Sequence, residues 1–531
     1  MAAGGGLPDD CWEYVISKLV CDNHWYLDTL SLVSKQFLSI TNRSVYSLAL
    51  ICNPWPLYCL FQRFPNLKSL DLSGFRGDLN TLLSRFPPWC SITSLNLSNH
   101  PTFPVLGLQT ILKNTTISST LTSLTCSNII SLKSIDITFI ADSFPFLQDL
   151  NISFPLGLSG YEDYNNALKV LTQKLSKLCK VNLSGNIDDS SLLQLCLNCE
   201  FLEEVVLFYC PRITDDGMAS AICHRPTLTS FSFCNHWAAI EEKNITSSLI
   251  NSLANLKSLT SLDPPPLRKL VLKDCSNYTY SGIYYLLSKC QSLKHLDIQK
   301  ATFLNDPLFN KLCAFLGDLV FINVSGCELL TNFALFALLK NCPLLTEIKM
   351  ESTGIGKVSM PSQDLVVYHQ VKSLHLASNS CLRDEDIHMF AFLFPNMQLL
   401  DLSSCFYIKE GIDIVLKKCR KIRHFKFVRC RQANLCLINY EASKLEVLNL
   451  SNSRIDDKVL YVISMICPRL LQLDLQFCND VTEKGVRLVV EKCIHLREIN
   501  LQNCRKVSGN IVSWITFSRP SLRKIAVHFH S

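Results

Sequence analysis

Along most of the chain the apolar residues recur in one order: Leu-x-x-Leu-x-Leu-x-x-Cys, a Thr/Asp/Gly turn, then an apolar stripe of period 3.6. The stretch LLQLDLQFCNDVTEKGVRLVVEKC, from Leu470 to Cys493, shows all of it. The Leu-x-Leu alternation predicts a short strand with one buried face. Val486, Val489, Val490 and Cys493 fall at i, i+3, i+4 and i+7, which is one face of a helix. Thr482, and Thr214 in its own unit, precede such helices as N-caps. The first apolar position recurs at Leu67, Ile92, Leu121, Leu147, Leu178, Leu202, Leu228, Leu267 and Leu293. It continues at Leu319, Leu345, Val371, Met397, Ile422, Leu445, Leu470, Leu496 and Leu522, and nine of the seventeen spacings are 26 residues.

A strand and helix this small cannot bury their apolar faces alone, so successive units must stack. The pattern therefore predicts an α/β solenoid, a horseshoe of about 18 repeats over 67–531, with parallel strands inside and helices outside. The largest irregularity, 39 residues from Leu228 to Leu267, places an insertion or a degenerate repeat around 235–266. As a degenerate repeat it would have Leu249, Leu253 and Leu256 as its helix. As a functional loop it would present Trp237, with His236, as a lip over the concave face.

Residues 7–46 do not follow the repeat. Pro8 opens a helical pattern with Asp9 and Asp10 in its first turn, and Trp12, Val15, Ile16 and Leu19 share a face. A second run carries Leu27, Leu30, Val33 and Phe37. Patterning alone leaves two readings, a separate helical module or a cap on the first repeat. The segment 47–66 is apolar, lacks Gly/Ser and reads as a rigid connection.

Composition narrows the chemistry. Of 531 residues 48% are apolar and 18% charged, ample for a continuous core, and a net charge of +6 is far from the basic stripe of a nucleic-acid binder. The start MAAGGGLPDD lacks a positive and an apolar region, and no stretch is apolar enough to span a membrane. A reducing compartment, cytoplasm or nucleus, is expected. The 26 cysteines then read as packing residues, not disulfides, because fifteen of them fall in two rows of the repeat, at the strand's end and the helix's end. Only Cys196 and Cys199 form a Cys-x-x-Cys pair, so no metal site is expected. Phosphate-loop, nucleophile-elbow and His-Glu-x-x-His motifs are absent, and no catalytic residue is assigned.

Leu7-Pro8, the acidic pair, Leu19 and LSLVSKQF from Leu30 to Phe37 resemble the F-box. The repeats with PRITDDGM and NDVTEKGV resemble the cysteine-containing leucine-rich repeat. Together they resemble the F-box/leucine-rich-repeat family over 7–531. That resemblance implies a non-catalytic substrate receptor of an SCF-type cullin-based ubiquitin ligase. Its F-box would hold a Skp1-type adaptor, and through it a cullin, while the solenoid holds a target protein. The adaptor contacts it implies are Leu7, Pro8, Val15, Ile16, Leu19, Leu32, Val33 and Phe37. A stand-alone scaffold or inhibitor is the alternative.

For the target, two readings of the sheet's open face compete. Four residues after each anchor stands a polar row, including Asp71, Asn96, Asn151, Asp297, Asn323, Lys349, His375, Asp401, Lys426, Asn449, Asp474 and Asn500, either a recognition surface or a solvated face. The run Lys417–Arg431 adds eight basic residues in fifteen positions, with His424, Lys426, Arg429 and Arg431 near the strand. It suits an acidic or phosphorylated segment or a polyanion such as an inositol phosphate, or is a solvated charged edge.

Overall fold

The computed structural model describes residues 7–22, 25–51, 57–154, 161–234, 247–256, 266–275, 278–358, 366–409, 411–430 and 444–527. They fall into two compact units, Met1–Glu241 with Asn255–Pro265, and Glu242–Ala254 with Pro266–Ser531.

The first unit opens with three helices, α1 (Asp9–Asp22), α2 (Trp25–Ser31) and α3 (Lys35–Arg43). Pro8 starts α1, its carbonyl accepting from the amides of Cys11 and Trp12. Ser34 caps α3, its hydroxyl accepting from the Phe37 amide at 3.1 Å. Arg43 at the end of α3 reaches back to α1, pairing with Asp9 at 2.9 Å and Glu13 at 2.7 Å.

Eight parallel strands follow in this unit, β1 (Ser47–Ala49) through β8 (Ser230–Cys234), each hydrogen-bonded to the next. The second unit holds eleven more, β9 (Lys269–Lys273) through β19 (Lys524–Ala526), again parallel and paired in chain order. Each of the eighteen anchors stands two residues before a strand. The ladder also begins one strand earlier than the anchors predict, for Ser47–Ala49 pairs with Ser69–Asp71. The expected connector 47–66 thus contains β1 and a helix, Leu57–Arg63.

Register makes the core. Leu70, Leu95, Leu124, Leu150, Val181, Val205 and Phe231 face one another across successive strands, and all are essentially buried. Each such side chain contributes about 1.5–3 kcal/mol on leaving water. In the second unit Leu296, Ile322, Ile348, Leu374, Leu400 and Phe425 do the same.

Three devices repeat at each turn of the coil. Residues seven after an anchor have a left-handed backbone in fifteen units: Gly185 and Gly326, and thirteen others that include Asn99, Phe154, Tyr209, Lys300, Arg429 and Phe477. Cysteines eight after an anchor are buried, and several of their thiols reach a carbonyl of the preceding unit, as Cys405 to Leu376 at 3.3 Å, Cys478 to Leu450 at 3.2 Å and Cys504 to Leu475 at 3.0 Å. The aspartate opening one helix ties down the cap of the next: the amide and hydroxyl of Thr482 donate to Asp457 at 2.9 and 2.5 Å, and those of Thr214 to Asp189 at 2.7 and 2.7 Å.

Between Leu228 and Leu267 a helix, Ser247–Ala254, buries Leu249, Ile250 and Leu253. Trp237 and His236 lie outside the described residues. No helix among the described residues is long and apolar enough to cross a membrane.

Candidate functional site

The front helices separate the eight expected docking residues. Leu32 is 86% exposed, Val33 63% and Leu7 51%; Pro8 and Val15 are exposed too. Phe37 is half-buried, its ring 4.9 Å from Trp12. Ile16 is 1% exposed, in the module's own core with Ile40, and so is no part of its surface. The side chain of Leu19 lies outside what the structure describes. Leu7, Val15, Leu32 and Val33 thus remain uncovered within their unit, whereas a cap would bury them against the first repeat.

On the sheet's open face, the row four residues after the anchors has a backbone function. Asp71, Asn96, Asn151, Asp297, Asn323, Asp401, Asn449, Asp474 and Asn500 each accept a hydrogen bond from the amide two residues on, at 2.8–3.2 Å. Their oxygens close the turn that leads out of the strand. Lys349 and Lys426 have no side-chain acceptor to offer that amide, and the His375 ring meets the Ser373 hydroxyl instead. The row departs from Asn/Asp at Thr125, Val206, Ser232 and Val271 as well, but at these three strands charged and imidazole side chains gather.

That cluster spans β10 (His295–Asp297), β11 (Phe321–Asn323), β12 (Glu347–Lys349), β13 (Ser373–His375), β14 (Leu399–Asp401) and β15 (His424–Lys426). His295 stacks on Phe321, centroids 3.9 Å apart and rings 7° from parallel, and Lys349 Nζ lies 5.3 Å from the Phe321 centroid. Lys349 pairs with Glu347 at 3.2 Å, and Lys426 stands 3.8 Å from Asp401. His375 sits between them, Nε2 at 3.0 Å from the Ser373 hydroxyl and Nδ1 at 3.8 Å from Glu351.

Burial sets the protonation states. It holds the His375 imidazole below its ordinary value, with Lys349 adding to the effect. His295 is pushed down to about 4 by burial and then by Lys269. Glu351 is raised by burial and next by the charge of Asp401. The patch therefore presents neutral imidazoles among alternating lysines and carboxylates, a surface that recognises by position rather than net charge.

The basic run is divided by the fold. Lys417 and Lys418 end a helix, Arg423 faces Glu446 at 3.8 Å, and Lys426 faces Asp401. His424 is exposed at the start of β15, and Arg429 is exposed at a left-handed turn. Arg431 lies outside the described residues. Sequence reasoning placed His424 and Lys426 on this face but missed Glu347, Glu351 and His295 as their neighbours. Aligning units by anchor and marking where a charged or imidazole side chain other than Asp replaces the usual Asn/Asp would have pointed to Lys349, His375 and Lys426.

No family model matches the chain. It is 26% identical over 160 residues to F-box/LRR-repeat protein 4 of Bos taurus, covering 29% of this chain and 26% of that protein. It is 24% identical over 309 residues to F-box/LRR-repeat protein 17 of Arabidopsis thaliana, covering 54% and 48%. It thus spans half or less of the length of these curated relatives. Among solved structures, one chain of the yeast Rad7 and Elc1 complex aligns over 91% of this chain and 96% of its own length, at 17% identity and a TM-score of 0.45. In its repeat and in these curated relatives, the chain is similar to F-box/leucine-rich-repeat proteins.

Proposed function

We propose that the chain is the target-recognition subunit of an SCF-type ubiquitin ligase, itself without catalytic residues. The α1–α3 module docks a Skp1-type adaptor, and through it a cullin; the open face of β10–β15 holds the target. What carries this reading is the exposure of Leu7, Val15, Leu32 and Val33 in a module whose core, Ile16 and Ile40, is already filled. Apolar side chains left uncovered beside a complete core are anchors for a helix-packing partner. The target side rests on the charged and imidazole-bearing patch around His375, where the sheet departs from its own turn-closing rule.

The test is a pull-down of a Skp1-type adaptor with the intact chain and with a Leu32→Asp/Val33→Asp variant. Both positions are largely exposed, so the variant keeps its fold. Stoichiometric binding by the intact chain, weakened at least about 30-fold in the variant, is the expected outcome, since buried interface anchors are each worth about 2 kcal/mol or more. An intact chain that ignores the adaptor would make the front module a cap and the protein a scaffold or inhibitor.

A further inference from the structure

The cluster around His375 has a geometry that target recognition alone does not account for. One ring nitrogen of His375 and one carboxylate oxygen each of Glu351 and Asp401 lie within 4.8 Å of one another. His375 and Asp401 end neighbouring strands and face each other in register, and Glu351 stands in the turn two residues past β12. Their backbones are fixed by the ladder and by the buried Ile348, Leu374 and Leu400 beneath, so the donors stand on rigid elements.

His375 itself supplies the second observation. It is 9% exposed, and its Nε2 meets the Ser373 hydroxyl at 3.0 Å. Its Nδ1 makes no hydrogen bond among the described residues and points at Glu351 from 3.8 Å, too far for one. A hydroxyl held by one ring nitrogen while the other faces carboxylates is how metal-binding imidazoles are oriented. A divalent cation between the two carboxylates would offset their mutual repulsion. Lys426, 3.8 Å from Asp401, is its competitor.

We propose that Glu351, His375 and Asp401 form a binding site for a first-row divalent cation of the zinc class, with the remaining coordination positions open to water on the sheet's face. Imidazole with two carboxylates is a donor set such ions accept. Ligands of a tetrahedral site with bonds of about 2.0–2.1 Å stand about 3.3 Å apart, so side-chain rotation must draw the three together on binding. The site is independent of the adaptor reading.

The experiment is titration of the full-length reduced chain with Co²⁺ and Zn²⁺ at pH 7.5, by calorimetry and by the visible spectrum of the cobalt form. One equivalent is expected, with weak d–d bands and no thiolate charge-transfer band, since no cysteine is a ligand. His375→Ala and the near-isosteric Glu351→Gln each lower affinity at least tenfold, with folding checked by circular dichroism. Lys426→Met, which removes the competing cation, raises affinity severalfold. A thiolate band at one equivalent, no binding at millimolar metal, or affinity unchanged by both His375→Ala and Glu351→Gln would overturn the site.

Discussion

At the scale of single residues, the cysteines have the sharpest consequence. Fourteen of the fifteen in the two repeat rows are buried, with Cys223 half-buried, and none of the described thiols is in a disulfide. Burial pushes Cys327, Cys342, Cys405, Cys419 and Cys478 up to about 12, and Cys90, Cys430, Cys493 and Cys504 up to about 11, from an ordinary 9.0. The folded values lie above the unfolded ones, so this stability is fully present below pH 9 and is lost as pH rises toward 11–12. Each thiol forfeits about 1.4 kcal/mol per pH unit in that window. The losses act in one direction, so the fold weakens as pH rises above 9. Urea midpoints followed by circular dichroism should fall steadily from pH 9 to 11; a midpoint unchanged over that range would mean the thiols are not so buried. The packing role was legible because the spacing of Cys210, Cys275 and Cys327 from their anchors is constant. The hydrogen bonds of Cys405, Cys478 and Cys504 to the preceding unit were not, since a thiol's partner 26 or more residues away leaves no local trace.

Elements are held to one another by the caps as well as by the core. Asp457 closes the N-terminus of the helix Glu483–Lys492 through Thr482, and Asp306 does the same for Asn332–Asn341 through Thr331. Replacing Asp457 by Ala removes both acceptors at once and should cost about 1–2 kcal/mol, read as a lower urea midpoint. A loss under about 0.3 kcal/mol would make these aspartates solvated decoration. Thr482 and Thr214 were recognisable as caps from the sequence, because Thr before an acidic first turn is a local signal. Their partners one repeat back were not. Strand β1 was missed for a different reason: Val45, Leu48 and Leu50 do fit the template, but Ser47–Ala49 directly follows the helical module and carries neither the Cys nor the turn that mark a unit.

Across the whole molecule, the two units present different chemistry from the same repeat. On the open face of the first, Ser69, Ser94 and Ser123 stand in register and Asp149, Lys180 and Glu204 continue their row, while Ser73, Ser98, Ser127 and Ser153 occupy the next row but one. The second unit places His295 and Glu347 in the first of these rows, and Lys349, His375 and Asp401 in the row between. The fold was legible because a solenoid repeats its instructions eighteen times. The site was not, because it is assembled from one residue per repeat, and each residue taken alone resembles an ordinary polar position.

One regularity of the coil bears on how the protein can change. Every described left-handed position seven after an anchor is a place where only glycine is at ease, yet Phe154, Tyr209, Lys300, Arg429 and Phe477 stand at five of them. Each holds back about 1 kcal/mol of conformational free energy. The molecule can therefore be made hardier by subtraction, one glycine at a time, and selection for heat tolerance alone would erase those side chains first. A lineage that keeps large side chains at the sheet's edge is trading robustness for what they touch.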